Sequence, residues 1–248
     1  TPGYPANIDV VVSENSYGKN EYIPVDAPVV IVTAPGPGSG KLATCLSQMN
    51  HEAKMAQKPS YSKLETFPIW NLPLDHPVNI AYEAATADIG DVNLIDHFHL
   101  NAYGQIAVNY SRDLEAFPLL ARILEKITGE SCIYKSPTDM GVNRCGFGIT
   151  DDEVCREAGK QEIIRRSFQI KSDYISGLAD EETVNRISAI MDKCSLTEED
   201  RSVVAPAREA LEKAIAEGKG KNGTVCAAAI ELPDGTIVTA HNSEMLHA

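Results

Sequence analysis

An α/β fold with a mostly parallel sheet is what this sequence predicts, and three observations carry the prediction. Two apolar, β-branched runs, Ile8–Ser13 and Val29–Thr33, have the length and character of strands buried on both faces of a sheet. The second leads directly into a glycine-rich loop, Ala34–Lys41. Beyond the loop, Leu42, Cys45, Leu46 and Met49 recur at helical spacing, so a helix is expected over Leu42–Gln57 and the order is strand, loop, helix.

The remaining elements follow from local signals. Residues 59–77 hold four prolines with Tyr61, Phe67 and Trp70, an irregular segment with apolar anchors. His76–Ile89 reads as a helix with Pro77 in its first turn. Val92–Ile95 reads as a strand, and a helix capped by Ser111 or Asp113 runs through Ile127 to a stop at Gly129. Helices are expected over Asp152–Ser176, closed by Gly177, and over Asp180–Cys194. A third opens at Thr197, where Thr197 and Asp200 form a capping-box pattern, and reaches about Glu217, with Pro206 splitting or kinking it near Val204. GKGKNG breaks the chain at 218–223. Thr224–Leu232 and Thr236–Ala240, joined by Pro233-Asp234-Gly235, carry a hairpin signal. The expected organisation is an α/β domain over 1–150, a helical segment over 151–218 and a further α/β piece from 219.

Composition narrows the function. Apolar residues make up 43% of the 248, enough for a buried core. The formal charge of −13 argues against binding nucleic acid or anionic membranes, which needs clustered Lys and Arg. No run of about 18 apolar residues is present to span a membrane. TPGYPANIDV lacks the basic and apolar regions of a signal peptide. The six cysteines form no C-x-x-C pair and fit a reducing cytoplasm. Oligomeric state is not encoded in any pattern, and a homo-oligomer is compatible with the sequence.

The sharpest chemical signal is the loop. Pro35 to Leu42 aligns with the phosphate-loop pattern G-x-x-x-x-G-K-[ST], with Pro35 in place of the first glycine and Leu42 in place of the hydroxyl that helps hold Mg²⁺. Gly36, Gly38 and Gly40 let the backbone approach an anion. The N–H groups of Gly38, Ser39, Gly40 and Lys41, the start of the helix and the Lys41 ammonium then favour phosphate. The cofactor this allows is a nucleotide with Mg²⁺, and the partner is a small phosphorylated ligand. The alternative is a turn that joins a strand to a helix.

Other groups are weaker. Val92–Asp96 resembles an apolar run ending in a Mg²⁺-holding acid, which makes Asp91 and Asp96 catalytic candidates beside Lys41. His97 and His99 share a face only on a strand; together with Asp96 they could ligate a metal, but nothing else completes a site. Lys135, Ser136, Thr138, Asp139 and Asn143 sit in a polar loop suited to a pocket. Arg165-Arg166 suits an anion or a salt-bridged face. Glu65 and Trp70 either line a pocket or anchor the core.

Four stretches, VIVTAPGPGSGKLATCLSQ, LETFPIWNLPLDHPVNIAYEAATADIGDVNLID, YKSPTDMGVN and KQEIIRR, resemble the bacterial domain-of-unknown-function 1846 family, also called uncharacterised protein family 0371. AAAIELPDGTIVT fits it too. The resemblance implies a protein about twice this length, of which this chain is a portion lacking an N-terminal segment and the closing C-terminal elements. It also implies a C-terminal subdomain of cytidine-deaminase-like α/β topology, begun by the hairpin and Ser243–Ala248. Deaminase chemistry is not implied, because the H-x-E and P-C-x-x-C zinc motifs are absent. The leading expectation is an enzyme of the phosphoryl-transfer or ATP-dependent ligase type. A non-catalytic nucleotide sensor or scaffold is the rival, favoured by Leu42, and a metal-free hydrolase or transferase using the loop as an oxyanion cradle is a third reading.

Overall fold

A computed structural model describes residues 1–36 and 38–243. It is a mixed α/β protein whose chain divides into two compact units, residues 1–79 with 91–150, and 80–90 with the chain from 151 onward.

The first unit is built on two long helices. Helix α1 (Ile8–Val11) is one turn, and α2 (Lys41–Lys54) follows the glycine loop. Strand β1 (Lys63–Leu64) precedes α3 (Pro77–Ala85), which starts in this unit and ends in the other. Strand β2 (Asn93–Ile95), α4 (His97–Tyr103), β3 (Val108–Tyr110), α5 (Ser111–Thr128) and β4 (Gly141–Val142) complete it. Leu46 and Met49 of α2 pack with Phe117, Leu120, Ile123, Leu124 and Ile127 of α5, and Val11 and Met140 join that core. Gly129 ends α5 in the left-handed conformation, as its position in the sequence predicts. No side chain caps its start: Tyr110 is the N-cap residue, and Ser111 and Asp113 lie inside the helix.

The second unit is mostly helical. Asp151 caps α6 (Asp152–Ile175) and Asp180 caps α7 (Glu181–Lys193), each carboxylate accepting backbone N–H groups of the first turn. Asp200 accepts from Thr197 N at 2.6 Å, so the capping box forms, but it closes a single 3₁₀ turn, Glu198–Asp200. Helix α8 (Val204–Ala216) starts afresh, with Pro206 in its first turn, where proline costs little. Strands β5 (Ala227–Glu231) and β6 (Ile237–His241) form the expected hairpin. Ile80, Ala84 and Ala87 pack against Ile163, Ile164, Ile170, Ile187, Ile190 and Met191.

Three sequence expectations are corrected. Among the described residues the sheets are three two-stranded pairs, and only β1–β4 is parallel, so the sheet is not mostly parallel. Ile8–Ser13 is not a strand. Asn7 accepts from Val10 N and caps a helical turn that packs on α5, and a cap with one-sided packing outweighs β propensity in so short a run. Val29–Thr33 is in no regular element. A strand exists only with a neighbour, and this run has none among the described residues, leaving Val29 and Ile31 76% and 77% exposed. The start of a deaminase-like subdomain falls partly on Glu244–Ala248, outside the described residues.

Ile163 has no exposed surface and lies at the centre of the second core. Ile163→Ala is therefore expected to lower stability by about 2–5 kcal/mol, read from urea denaturation of the full-length protein.

Candidate functional site

The glycine loop folds back on itself. Gly38 and Gly40 are left-handed, with φ of 72° and 89°. A Cβ on Gly36, Gly38 or Gly40 would meet nothing within 4 Å, so none of them serves close packing, and Gly38 and Gly40 serve backbone conformation. Lys41 Nζ donates to Gly36 O at 2.9 Å, and Ser39 Oγ donates to the same carbonyl. Gly40 is the N-cap of α2 and no side chain caps that end. Its first-turn N–H groups consequently have no side-chain acceptor, and the positive end of the helix dipole faces the loop.

Asp96 has a different character. It is fully buried at the head of α4, where Oδ1 accepts from His99 N at 2.9 Å. Its Oδ2 accepts from Thr138 N at 3.2 Å and Thr138 Oγ1 at 2.6 Å. Asp91 forms a two-pronged pair with Arg112, whose Nε lies 3.0 Å from Oδ1. Both acids are held by protein groups. His97 and His99 lie on helix α4, not on a strand, and among the described residues no three His, Cys, Asp or Glu side chains are grouped to hold a metal.

The polar loop is ordered by the same acid. Thr138 is bound to Asp96, and Asn109 Nδ2 donates to Thr138 Oγ1 at 3.2 Å. Ser136 is buried, its Oγ 3.0 Å from His99 Nδ1, and it accepts from Asp139 N at 2.8 Å. Asp139 Oδ2 accepts from Lys135 N at 3.0 Å and from Tyr103 OH at 2.8 Å. Most polar atoms of Lys135–Asp139 named in the sequence reading are thus turned inward to one another and to α4.

A second constellation is denser than the sequence indicates. Strands β1 and β4 pair in parallel, Lys63 with Gly141 and Leu64 with Val142, and Glu65 N continues the ladder to Val142 O at 3.0 Å. Alternation places Lys63 and Glu65 on one face, with Gly141 and Asn143 beside them. The Lys63 ammonium sits 2.7 Å from Glu65 Oε1 and also pairs with Asp113. Lys63 Nζ donates to Tyr110 OH, and Tyr110 OH donates to Glu65 Oε1, each at 2.8 Å. Glu65 is only 9% exposed in its side chain, and burial pushes its carboxyl above the ordinary range; Lys63 opposes that shift and Asp113 adds to it. The Trp70 ring covers Gly141 so closely that a Cβ there would lie 2.4 Å from it. The signal available in the sequence was the alternation of Lys63 and Glu65, but the contacts that bring Tyr110 and Asp113 to them lie 45 to 50 residues apart and the ladder itself joins segments 78 residues apart, with no local mark.

Elsewhere, Glu162 takes both Arg165 and Arg166, the salt-bridged face. Two clefts of about 610 and 320 Å³ lie in the second unit, the first bounded by Gln161, Asp200 and Glu231, the second by Arg166, Asp173 and Asp180. All six cysteines are free, and burial raises the thiols of Cys45, Cys132 and Cys194, which keeps them protonated and unreactive. No described helix is long and apolar enough to cross a membrane.

The fold and its polar clusters define a mixed α/β protein of two units, with a glycine loop at the head of one helix and a buried Lys–Glu–Tyr–Asp group on a short parallel ladder. The family model described as "Domain of unknown function DUF1846, N-terminal" matches residues 1–195, and the chain belongs to that family. It is 60% identical over 251 residues to a UPF0371 protein of Fusobacterium nucleatum, covering 100% of this chain and 50% of that protein. It is 59% identical over 246 residues to a UPF0371 protein of Clostridium botulinum strain Langeland, covering 99% and 49%. The chain spans about half the length of the curated relatives it matches.

Two measurements check this geometry. Gly141→Ala should destabilise the protein by about 1–3 kcal/mol, because the new methyl group collides with Trp70, seen as a lower midpoint in denaturant. Glu65 binds its proton more tightly folded than unfolded. The stability it contributes is present at acid pH and is lost as pH rises from the ordinary carboxylate range through the raised value. Glu65→Gln should remove that part of the pH dependence in denaturation curves taken across mildly acidic pH.

Proposed function

We propose that this protein binds a nucleotide or phosphorylated small molecule at the glycine loop, as a phosphoryl-transfer or ligase-type enzyme of the cytoplasm. The observation that carries the reading is the head of α2, where an end without a side-chain cap, two left-handed glycines and Lys41 stand together. In this reading the backbone N–H groups of Ser39, Gly40 and Lys41 take phosphate oxygens. Lys41 leaves the carbonyl of Gly36 for the ligand, exchanging a neutral acceptor for a charged one, which makes a stronger bond. Gly36 and Gly38 leave room for that approach.

The strand of a P-loop-like strand-loop-helix is assigned to Val29–Thr33, whose β-branched run suits it once a neighbouring strand is supplied. Asp91 and Asp96 are read as positioning groups, since each is already engaged by Arg112 or by Thr138 and α4. Mg²⁺ bound with the nucleotide would then rest mainly on phosphate oxygens and water. Leu42, in the place of a metal-binding hydroxyl, favours the second reading of a nucleotide sensor without turnover.

The test is thermal stabilisation of the full-length protein by nucleotides, sugar phosphates and inorganic phosphate, with and without Mg²⁺. A ligand at 100 times its Kd should add about 2.7 kcal/mol. Lys41→Ala should abolish that gain. If Lys41→Ala leaves every phosphate affinity unchanged, the loop is a structural turn and the reading fails.

A further inference from the structure

The face of the β1–β4 ladder carries three polar atoms that its own chain does not use. Glu65 Oε2, Trp70 Nε1 and Asn143 Oδ1 are buried and make no hydrogen bond, although buried polar groups are paired as a rule. Each is fixed in identity. The other Glu65 oxygen is taken by Lys63 and Tyr110. Asn143 Nδ2 donates to Pro68 O at 2.7 Å, a contact its carbonyl end could not make, so the amide oxygen points the other way. An indole N–H is a donor only.

The register places them on one face. Lys63 pairs with Gly141, so Glu65 falls opposite Asn143, two residues further along both chains and on the same face. Trp70 lies on that face over Gly141. The unused set is therefore two acceptors and one donor. Two neighbouring hydroxyls match it, each donating to one acceptor while one of them accepts from the indole. Lys63 is already neutralised by Asp113 and Glu65, so the site has no positive charge left for a phosphate. We infer that Glu65, Asn143 and Trp70 form a subsite for the vicinal diol of a ribosyl group, the part shared by ribose phosphates and nucleotides. The inference rests on the glycine-loop reading only for the phosphate end of the ligand.

The experiment is equilibrium binding of ribose 5-phosphate and adenosine monophosphate to the full-length protein, each beside its 2-deoxy counterpart. The parent protein should prefer the diol-bearing member of each pair by about tenfold, because the deoxy sugar leaves a buried acceptor unpaired. Glu65→Gln turns an acceptor into a donor, and Trp70→Phe removes the N–H while keeping a ring on Gly141; both should erase the preference. Lys41→Ala should weaken all four ligands and leave the preference intact. Equal binding of the two members of each pair, no binding of either ribosyl ligand, or a preference that survives both Glu65→Gln and Trp70→Phe would overturn the subsite. A preference that persists while Lys41→Ala changes nothing would instead overturn the phosphate reading and leave the subsite standing.

Discussion

The first unit depends on one buried carboxylate. Asp96 has no exposed surface, and its two oxygens accept three hydrogen bonds, one from the head of α4 and two from Thr138. Those bonds tie the end of β2 and the start of α4 to a loop 42 residues away. Polar oxygens in this position are tolerable because they are hydrogen-bonded, and removing a donor would leave a buried acceptor unpaired. With Thr138 fixed, Met140 enters the core, and Gly141 and Val142 arrive in register with Lys63 and Leu64. The placement of Asn143 opposite Glu65 is downstream of that single acid.

The two polar groups of the unit differ in how far they satisfy themselves. Around Ser136 and Asp139 the loop's hydrogen bonds close on one another and on α4, so that region is a structural clasp. Around Glu65 the network is closed on one side, by Lys63 and Tyr110, and open on the other. Half-satisfied buried networks cost stability, and proteins retain such cost where function uses it.

Helices were legible because their signals are local. Asp151, Asp180, Gly129 and the Thr197 capping box all act within four residues; Gly129 ends α5 as its position indicates, while the Thr197 box forms but closes only a 3₁₀ turn. The β5–β6 hairpin, set by Pro233-Asp234-Gly235, belongs to the same class. Strands that need a distant partner were less legible. IDVVV looks like a strand until Asn7 caps it, and VVIVT has the composition of a central strand but no described neighbour. Of the site, the glycine loop could be read directly, since Gly38 and Gly40 do take the left-handed conformation. Glu65 and Trp70 could be singled out. Asn143 could be named as a pocket residue but not as the neighbour of Glu65, and Tyr110 and Asp113 could not be linked to Glu65 and Lys63, because nothing local in a sequence records contacts between segments so far apart in the chain.

The division of the chain has a consequence for dissection. Residues 80–90 leave the first unit, contribute Ile80, Ala84 and Ala87 to the second, and return. The polypeptide therefore passes between the units three times, and no single cut separates them. A fragment ending at Thr150 would keep those three side chains but lose Ile163, Ile164 and Ile187, which cover them, and would carry a bare apolar stripe into water. The stretch matched by the family model ends at residue 195, just beyond α7, and so retains that cover. The smallest piece worth expressing alone is set by this excursion of eleven residues and not by the gap between consecutive elements.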